Sequence, residues 1–149
     1  MPRNEFGRIP TGRSTRSDLT RRGLLGIAAV LPIMGKQKSG HIINVASVSG
    51  HRVDPTAAVY SATKFAVRAL SEGLRQESRD LRVTVASPGL TRTELFDGIA
   101  NPEIKAGARA MVDQASIPAA AIAEAIGFAI SQPDGVDINE LIVRPTAQG

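Results

Sequence analysis

Two strand-like runs on either side of one long helical pattern constrain the fold of this chain more than any other feature. "HIINVA" at 41–46 is a continuous apolar, β-branched run, and "LRVTVASPG" at 81–89 indicates a second buried strand that ends in a turn. Such runs are typical of parallel sheets, whose strands are covered on both faces. Between them, residues 59–78 have the period of an amphipathic helix. This order predicts two parallel strands joined by a crossover.

The rest of the chain continues the same alternation. "GLLGIAAVLPIMGKQKSG" at 23–40 predicts a short apolar helix, kinked at Pro32 and ended by Gly35 and the turn after it. We predict the α/β class, with three parallel strands and helices on both faces of the sheet. The remaining elements are predicted as an irregular segment with a few short helical turns at 90–116, a helix at 118–131 and a strand at 138–145.

The helix at 59–78 has one apolar and one charged stripe, and we expect the apolar stripe to face the core. The apolar positions are Ala62, Ala66, Ala69, Leu70, Gly73 and Leu74. The predicted solvent face holds Arg68, Glu72, Arg75 and Glu77.

Positive charge is concentrated at the start of the chain. The net charge is +4, and the excess lies in residues 1–22, where six arginines face only Glu5 and Asp18. The polar, Gly- and Pro-containing composition of this segment predicts a disordered lead-in. A basic arm can bind nucleic acid, but no nucleic-acid motif or interleaved aromatics accompany it, so no nucleic-acid partner is expected.

Membrane and metal sites have no support in the sequence. No run reaches the roughly 18 apolar residues that a membrane span needs, and a cytoplasmic protein is expected. The alternative is export, because "LTRRGLLGIAAVLPIM" at 19–34 has paired arginines before an apolar run. No A-x-A-like cleavage site follows that run. Two histidines and no cysteine give no basis for a metal site.

Three polar side chains suit carbonyl and alcohol chemistry. Tyr60 and Lys64 are four residues apart and share one face of their helix. An ammonium beside a phenol favours the phenolate, which can exchange a proton with an alcohol or carbonyl oxygen. Ser47 follows the first strand, at the edge where open α/β sheets bind ligands, and can hydrogen-bond the same oxygen. The hydride must then come from a nicotinamide, because side chains cannot supply one.

These residues lie in motifs that resemble the short-chain dehydrogenase/reductase family. "NVAS", "YSATK" and "PGLTRT" are similar to the family patterns N-x-[SA]-S, Y-x-A-[ST]-K and P-G-x-V-x-T. The resemblance runs from about Gly23 to Gln148. It implies that Ser47 orients the substrate, that Tyr60 is the general acid/base, and that Lys64 binds the cofactor ribose and tunes Tyr60.

The resemblance also implies a cofactor and a substrate class. The cofactor is NAD(P), and the substrate is a secondary alcohol or its ketone. "GVDINELIVRPTAQ" resembles the last strand of NADP-dependent 3-hydroxy acid dehydrogenases, which favours NADP. Thr91 stands where the family commonly has valine or isoleucine. The implied cofactor-binding residues are Tyr60, Lys64, Pro88, Gly89, Thr91 and Thr93.

The same comparison predicts that only part of the family fold is present. Residues 1–22 contain no glycine-rich phosphate turn of the kind that binds a dinucleotide. We therefore expect the C-terminal portion of a Rossmann-like doubly wound sheet, without the N-terminal dinucleotide half. The predicted domains are a basic lead-in at 1–22 and a partial short-chain dehydrogenase domain at 23–149. "HIINVA" would then lie at a sheet edge.

Two further expectations concern assembly and activity. The resemblance implies a homo-oligomer that packs through the helices at 24–34 and 59–78. The alternative to an oxidoreductase is a catalytically silent remnant or interaction module without a dinucleotide site.

The two loops near the predicted site give smaller expectations. His51 lies between Ser47 and Tyr60, and we expect a solvent-exposed histidine, with substrate contact as the alternative. Residues 95–115 correspond to the family's substrate lid, in which Met111 is expected to pack rather than to select substrates.

Overall fold

The structure is a computed structural model that describes residues 15–148. The helices and strands, in chain order, are α1 (Thr15–Gln37), β1 (His41–Val45), α2 (Ala58–Glu77), β2 (Arg82–Pro88), β3 (Thr91–Arg92), α3 (Pro102–Ala115), β4 (Ile117–Pro118), α4 (Ala119–Ile130) and β5 (Glu140–Val143). Short 3-10 turns lie at Val48–Gly50, Glu94–Gly98 and Thr146–Gln148.

The main sheet has three parallel strands in the order β1-β2-β5. The central strand β2 is buried at every residue from Val83 to Ser87, so both of its faces are covered. Helix α2 packs against β1 and β2, and α4 packs against β2 and β5. The predicted α/β class with three parallel strands is confirmed. Because the strands are parallel, the carboxyl ends of all three meet at one edge.

Helix α1 begins at Thr15, eight residues before the predicted start at Gly23. The predicted disorder of residues 15–22 is therefore wrong, and residues 1–14 lie outside the described part of the chain. Arginine is a good helix former, and a helix that has nucleated in the apolar run extends easily into such residues. The predicted domain boundary at residue 23 falls inside this helix.

The same helix runs through Pro32 and Gly35 and ends at Gln37, in the turn that was predicted to close it. Lys38 then takes the left-handed conformation, with a φ of 54°. The Ser39 backbone N–H donates to the Met34 carbonyl at 3.4 Å, which is the pattern of a Schellman cap. The turn, rather than Gly35, ends α1.

The prediction of an irregular segment at 90–116 is wrong, because it contains the 14-residue helix α3. The Asn101 side chain accepts from the backbone N–H groups of Glu103 and Ile104, and Pro102 occupies the first helical position. These are strong helix-start signals. Strands β3 and β4 flank the helix and pair with each other in parallel.

Helix α2 turns a polar stripe inward that its pattern did not predict, although Glu72 and Glu77 are exposed as expected. The polar residues at positions 61, 64, 68, 71 and 75 face the protein, while Ala62, Ala69 and Leu70 are exposed. The inward side chains are stabilised by hydrogen bonds. Asn44 Nδ2 donates to Ser71 Oγ at 2.9 Å, and Arg75 donates to the Val83 carbonyl at 2.9 Å. The stripe predicted to be apolar and buried thus lies partly at the surface.

Large apolar side chains are exposed on the outer side of α2 and on α1. Val59 is 68% exposed. Among residues 23–37 and 58–77, the other exposed large apolar residues are Leu24, Leu25, Ile33, Phe65 and Leu70. Within residues 15–148, no helix combines the length and the apolar character that crossing a bilayer requires.

Candidate active site

Ser47 lies two residues after β1, in the loop that begins the candidate site. Its side chain is buried and caps the 3-10 turn, because Ser47 Oγ accepts from the Ser49 backbone N–H at 3.1 Å. The Ser47 carbonyl accepts from the Gly50 N–H at 2.8 Å. The serine is therefore held in a compact turn at the carboxyl end of the strand.

Tyr60 and Lys64 lie on consecutive turns at the start of α2. The Lys64 Nζ atom is 5.7 Å from the centre of the Tyr60 ring, within the range of a cation–π contact. The same Nζ donates to the Val45 carbonyl at 3.2 Å. Burial of the ammonium lowers the pKa of Lys64 below its ordinary value.

The three predicted catalytic residues are thus connected through the end of β1. Lys64 contacts the Tyr60 ring and hydrogen-bonds a carbonyl two residues before Ser47. Two strand-end loops and one helix start meet at this edge of the sheet. The catalytic roles of Ser47, Tyr60 and Lys64 stay predictions, but the elements that carry them are adjacent.

The segment after β2 carries the predicted nicotinamide-binding residues. Pro88 ends the strand, and the Gly89 N–H donates to the Val143 carbonyl at 2.8 Å. Thr91 Oγ1 donates to the Gly89 carbonyl at 3.0 Å, and Thr93 Oγ1 accepts from the Leu95 N–H at 3.3 Å. These threonines shape their own loop at the same sheet edge as Ser47.

Gln148 supports this segment, although the resemblance of residues 135–148 gave it no role. Gln148 Oε1 accepts from the Leu90 N–H at 2.8 Å. A side chain at Gly89 would overlap Gln148 Oε1 and Arg144 Cβ and would lie 3.0 Å from Arg144 Cα. Gly89 is therefore required by close approach to the chain after β5. No local signal in the sequence indicates this contact.

We predict that Gly89→Ala lowers the free energy of unfolding by about 1–3 kcal/mol, because the added methyl group displaces the backbone at Arg144. Gly107→Ala in α3 is the control, since no described atom lies within 4 Å of a methyl group there. That change should stabilise by up to about 1 kcal/mol through helix propensity. Urea denaturation of both variants is the measurement. Equal stability changes in the two would contradict the prediction.

His51 is not the exposed loop residue that the sequence predicts. Its side chain is 25% exposed, and its Nε2 atom lies 3.1 Å from Glu140 Oε1 and 3.1 Å from Ser87 Oγ. Glu140, at the start of β5, also pairs with Arg68 of α2. The sequence pattern placed Arg68 on the solvent face and gave no role to Glu140, because their contact spans 72 positions of the chain.

The predicted lid contains most of a 3-10 turn and the helix α3, which are joined by ionic contacts. Arg109 donates to Asp97 Oδ1 at 2.6 Å, and Lys105 donates to the Asp97 carbonyl at 2.8 Å. The Arg109 hydrogen bond holds the pKa of Asp97 below its ordinary value. Met111 is 62% exposed, so the expectation that it packs into the lid is wrong.

Known proteins are similar to this chain in both sequence and fold. The family model for short chain dehydrogenases matches residues 23–104. An uncharacterized oxidoreductase of Staphylococcus saprophyticus is 50% identical over 136 residues, covering 88% of this chain and 55% of the relative. One of Listeria monocytogenes is 43% identical with the same coverage. The closed form of a serine dehydrogenase complexed with NADP+ superimposes with a TM-score of 0.76 and 30% identity, covering 92% of this chain and 59% of that one.

The three-stranded parallel sheet, with Tyr60 and Lys64 beside its carboxyl edge, is part of a Rossmann-like fold. The chain belongs to the short chain dehydrogenase family. It spans about half the length of the curated relatives that it matches. An archaeal alcohol dehydrogenase of Thermococcus sibiricus, 24% identical with a TM-score of 0.72, shares the fold.

Proposed function

We propose that this chain is part of an NAD(P)-dependent oxidoreductase that interconverts a secondary alcohol and a ketone. The contact between the buried Lys64 ammonium and the Tyr60 ring, beside the end of β1, carries the proposal. Burial of a lysine is unfavourable and needs a compensating role. A charge held against a phenol at a ligand-binding sheet edge fits a role in proton transfer.

Lys64 also fits the role of a cofactor ligand. Among residues 15–148, its Nζ makes one hydrogen bond, to the Val45 carbonyl. An ammonium has three N–H donors, so two remain for oxygen atoms of a ligand such as the hydroxyls of a ribose. Pro88 ends β2, and Gly89, Thr91 and Thr93 follow it at the same edge. These four residues would line the nicotinamide side.

The chemistry then divides between the side chains and the cofactor. Bound NAD(P)(H) accepts or supplies the hydride. The Tyr60 hydroxyl gives a proton to the carbonyl oxygen during reduction and takes it from the alcohol during oxidation. Lys64 stabilises the phenolate form electrostatically. Ser47 donates a hydrogen bond to the same substrate oxygen and holds it in place.

NAD(P)H titration of the purified chain tests this proposal. Tyr60 is the only tyrosine, and the chain has no tryptophan, so its intrinsic fluorescence reports on this one ring. We expect micromolar binding, seen both as quenching of Tyr60 emission and as a change in nicotinamide emission. Absence of binding at millimolar cofactor would contradict the proposal for this chain and favour the silent remnant.

The cofactor proposal includes a preference for NADP over NAD. Support comes from the resemblance of residues 135–148 to NADP-dependent dehydrogenases and from the structural neighbour complexed with NADP+. Titration with both reduced cofactors measures the preference directly. A cytoplasmic location is also proposed, and cell fractionation is its test.

The exposed apolar side of α2 supports a homo-oligomer packed through α1 and α2. Val59, Phe65 and Leu70 line this side, while the opposite face of α2 is polar and turned inward. Small residues such as Ala62 and Ala69 allow a second helix to approach closely, and burial of such a face favours association.

We predict that Phe65→Glu converts the oligomer to a monomer, because a carboxylate cannot be buried unpaired in an apolar interface. Light scattering coupled to size-exclusion chromatography is the measurement. Ile104→Glu is the control, since Ile104 is also a large exposed apolar residue, 61% exposed against 39% for Phe65, but lies on α3. A wild-type chain that elutes as a monomer, or a Phe65→Glu variant with unchanged mass, would contradict the interface.

A further inference from the structure

We propose that Arg68 and Glu140 are positioning residues that fix the turn carrying Ser47 against α2. The inference rests on the proposed function, because it assigns these residues to the geometry of the same site. Arg68 lies outside the motifs that indicate the family, and Glu140 lies in the segment 135–148, where the resemblance gives it no role. Their role follows from contacts that connect α2, β5 and the turn after β1.

Arg68 uses its whole guanidinium group in these contacts. Its Nε and Nη2 atoms donate to the two carboxylate oxygens of Glu140, at 2.9 and 3.3 Å. Its Nη1 atom donates to the Gly50 carbonyl at 3.0 Å. A two-pronged arginine–carboxylate pair fixes the plane of the guanidinium, so Glu140 determines where the third donor points.

Lys64 and Arg68 together hold both ends of the segment that carries Ser47. Lys64 donates to the Val45 carbonyl, and Arg68, one helical turn later, donates to the Gly50 carbonyl. Ser47 lies between these two carbonyls, in the turn that its own side chain caps. Because Tyr60 is one turn before Lys64 on the same helix, the two cations set the serine segment relative to the phenol.

Gly50, whose carbonyl accepts the Arg68 hydrogen bond, also packs closely against α2. A side chain at Gly50 would lie 3.1 Å from the Lys64 carbonyl and 3.1 Å from Arg68 Cδ. The end of the turn therefore packs closely against α2, and a side chain at position 50 would have to displace its neighbours by a few tenths of an ångström.

His51 and Ser87 complete the surroundings of the Glu140 carboxylate. Burial opposes ionisation of this carboxyl, but the hydrogen bond and charge of Arg68, with smaller contributions from His51 and Ser87, outweigh it and lower the pKa of Glu140. The carboxylate is thus charged at neutral pH. Ser87 and Glu140 both contact the Nε2 atom of His51, so the group cannot relay a proton across the ring as a hydrolytic triad does.

Glu140→Gln and Arg68→Lys test the proposal, with Asp80→Asn as the control. Glutamine keeps the shape of Glu140 without its charge. Lysine keeps the charge of Arg68 but cannot donate two parallel hydrogen bonds to a carboxylate. Asp80 forms an exposed ion pair with Lys38 at 3.0 Å, before the strands β1 and β2 begin. Hydrogen exchange, acrylamide quenching of Tyr60 emission, and steady-state kinetics are measured on the full chain.

In both test variants we expect amide exchange of residues 47–51 to be about tenfold faster, as expected for loss of a charged hydrogen bond. Exchange of the core residues 83–86 should be unchanged. Quenching of Tyr60 should change, and kcat should fall about tenfold with KM for the cofactor unaltered. The double variant should be no worse than the single ones, because both remove the same contact.

Several outcomes would overturn the proposal. The first is amide exchange of residues 47–51 in the test variants that equals the exchange in Asp80→Asn. The second is a rise in exchange that is equal for residues 47–51 and 83–86. The third is faster exchange of residues 47–51 while kcat and Tyr60 quenching stay unaltered. Hydrogen exchange and Tyr60 quenching need no turnover. A chain that binds no NAD(P)H would therefore contradict the proposed function, while these two measurements would still decide the role of Arg68 and Glu140.

Discussion

Tyr60→Phe is expected to lower kcat by about 10²- to 10⁴-fold, because it removes the group that exchanges a proton with the substrate oxygen. The change deletes one oxygen atom and keeps the ring over which the Lys64 ammonium lies. Binding of NAD(P)H should therefore change by less than about threefold, a difference of roughly 0.6 kcal/mol. The variant contains no tyrosine or tryptophan, so binding is followed by the emission of the nicotinamide.

Thr63→Val is the matched control for this experiment. It also removes one hydroxyl from the same helix, where Thr63 Oγ1 donates to the Tyr60 carbonyl at 2.7 Å. We expect its turnover to stay within about twofold of the wild type, since this hydroxyl has no place in the proposed proton transfer. Retention of turnover in Tyr60→Phe, or an equal loss in both variants, would remove Tyr60 from the role of general acid/base.

Lys64→Met is expected to weaken NAD(P)H binding at least about tenfold and to reduce turnover to the level of Tyr60→Phe. The substitution removes the two donors available to a ligand and the charge beside the phenol. Stability should change by less than about 1 kcal/mol, because loss of the Val45 hydrogen bond is offset by relief of the buried charge. Thermal unfolding and cofactor titration measure the two effects separately.

The pH dependence of stability gives an independent check on Lys64. Burial lowers the folded pKa below the ordinary value of 10.5, so the unfolded chain binds this proton more tightly. Burial of the charged Lys64 therefore lowers the free energy of unfolding at pH values below the folded pKa. This loss of stability disappears as the pH rises from the folded pKa toward 10.5. Lys64→Met should show no such rise in the free energy of unfolding at alkaline pH. Lys36→Met changes an exposed lysine of α1 and should show the same rise as the wild type. Parallel pH profiles for the wild type and Lys64→Met would contradict a buried charge.

The order of elements was predictable because each main strand carries its signal locally. A β-branched run covered on both faces has the same appearance in any parallel sheet, and the strands at 41–46 and 81–89 were placed to within one residue of β1 and β2. Helix α3 was missed, although Asn101 and Pro102 are ordinary start signals. The alternation of Gly and Ala in that segment obscured its apolar period.

The orientation of α2 could not be predicted from its own residues. A stripe of small and aliphatic side chains is assigned to the core by default, yet this helix turns Lys64, Arg68 and Ser71 inward. Their partners are Val45, Gly50, Asn44 and Glu140, which lie 18 to 72 positions away. The periodicity of one helix contains no information about such distant partners. The pair of Arg68 and Glu140 could therefore be identified only from the structure.

The two side chains that hold the loops at the carboxyl edge of the sheet belong to residues near the end of the sequence, so they are synthesised after most of the chain. Glu140 orients the guanidinium on Gly50, and Gln148 supports Leu90, so both loops depend on residues downstream of nearly everything else at that edge. During translation, Ser47, Tyr60 and Lys64 are therefore synthesised before Glu140 and Gln148, whose side chains support the loops around them. A nonsense codon near position 139 would leave all three side chains in the product while removing the supports that align them.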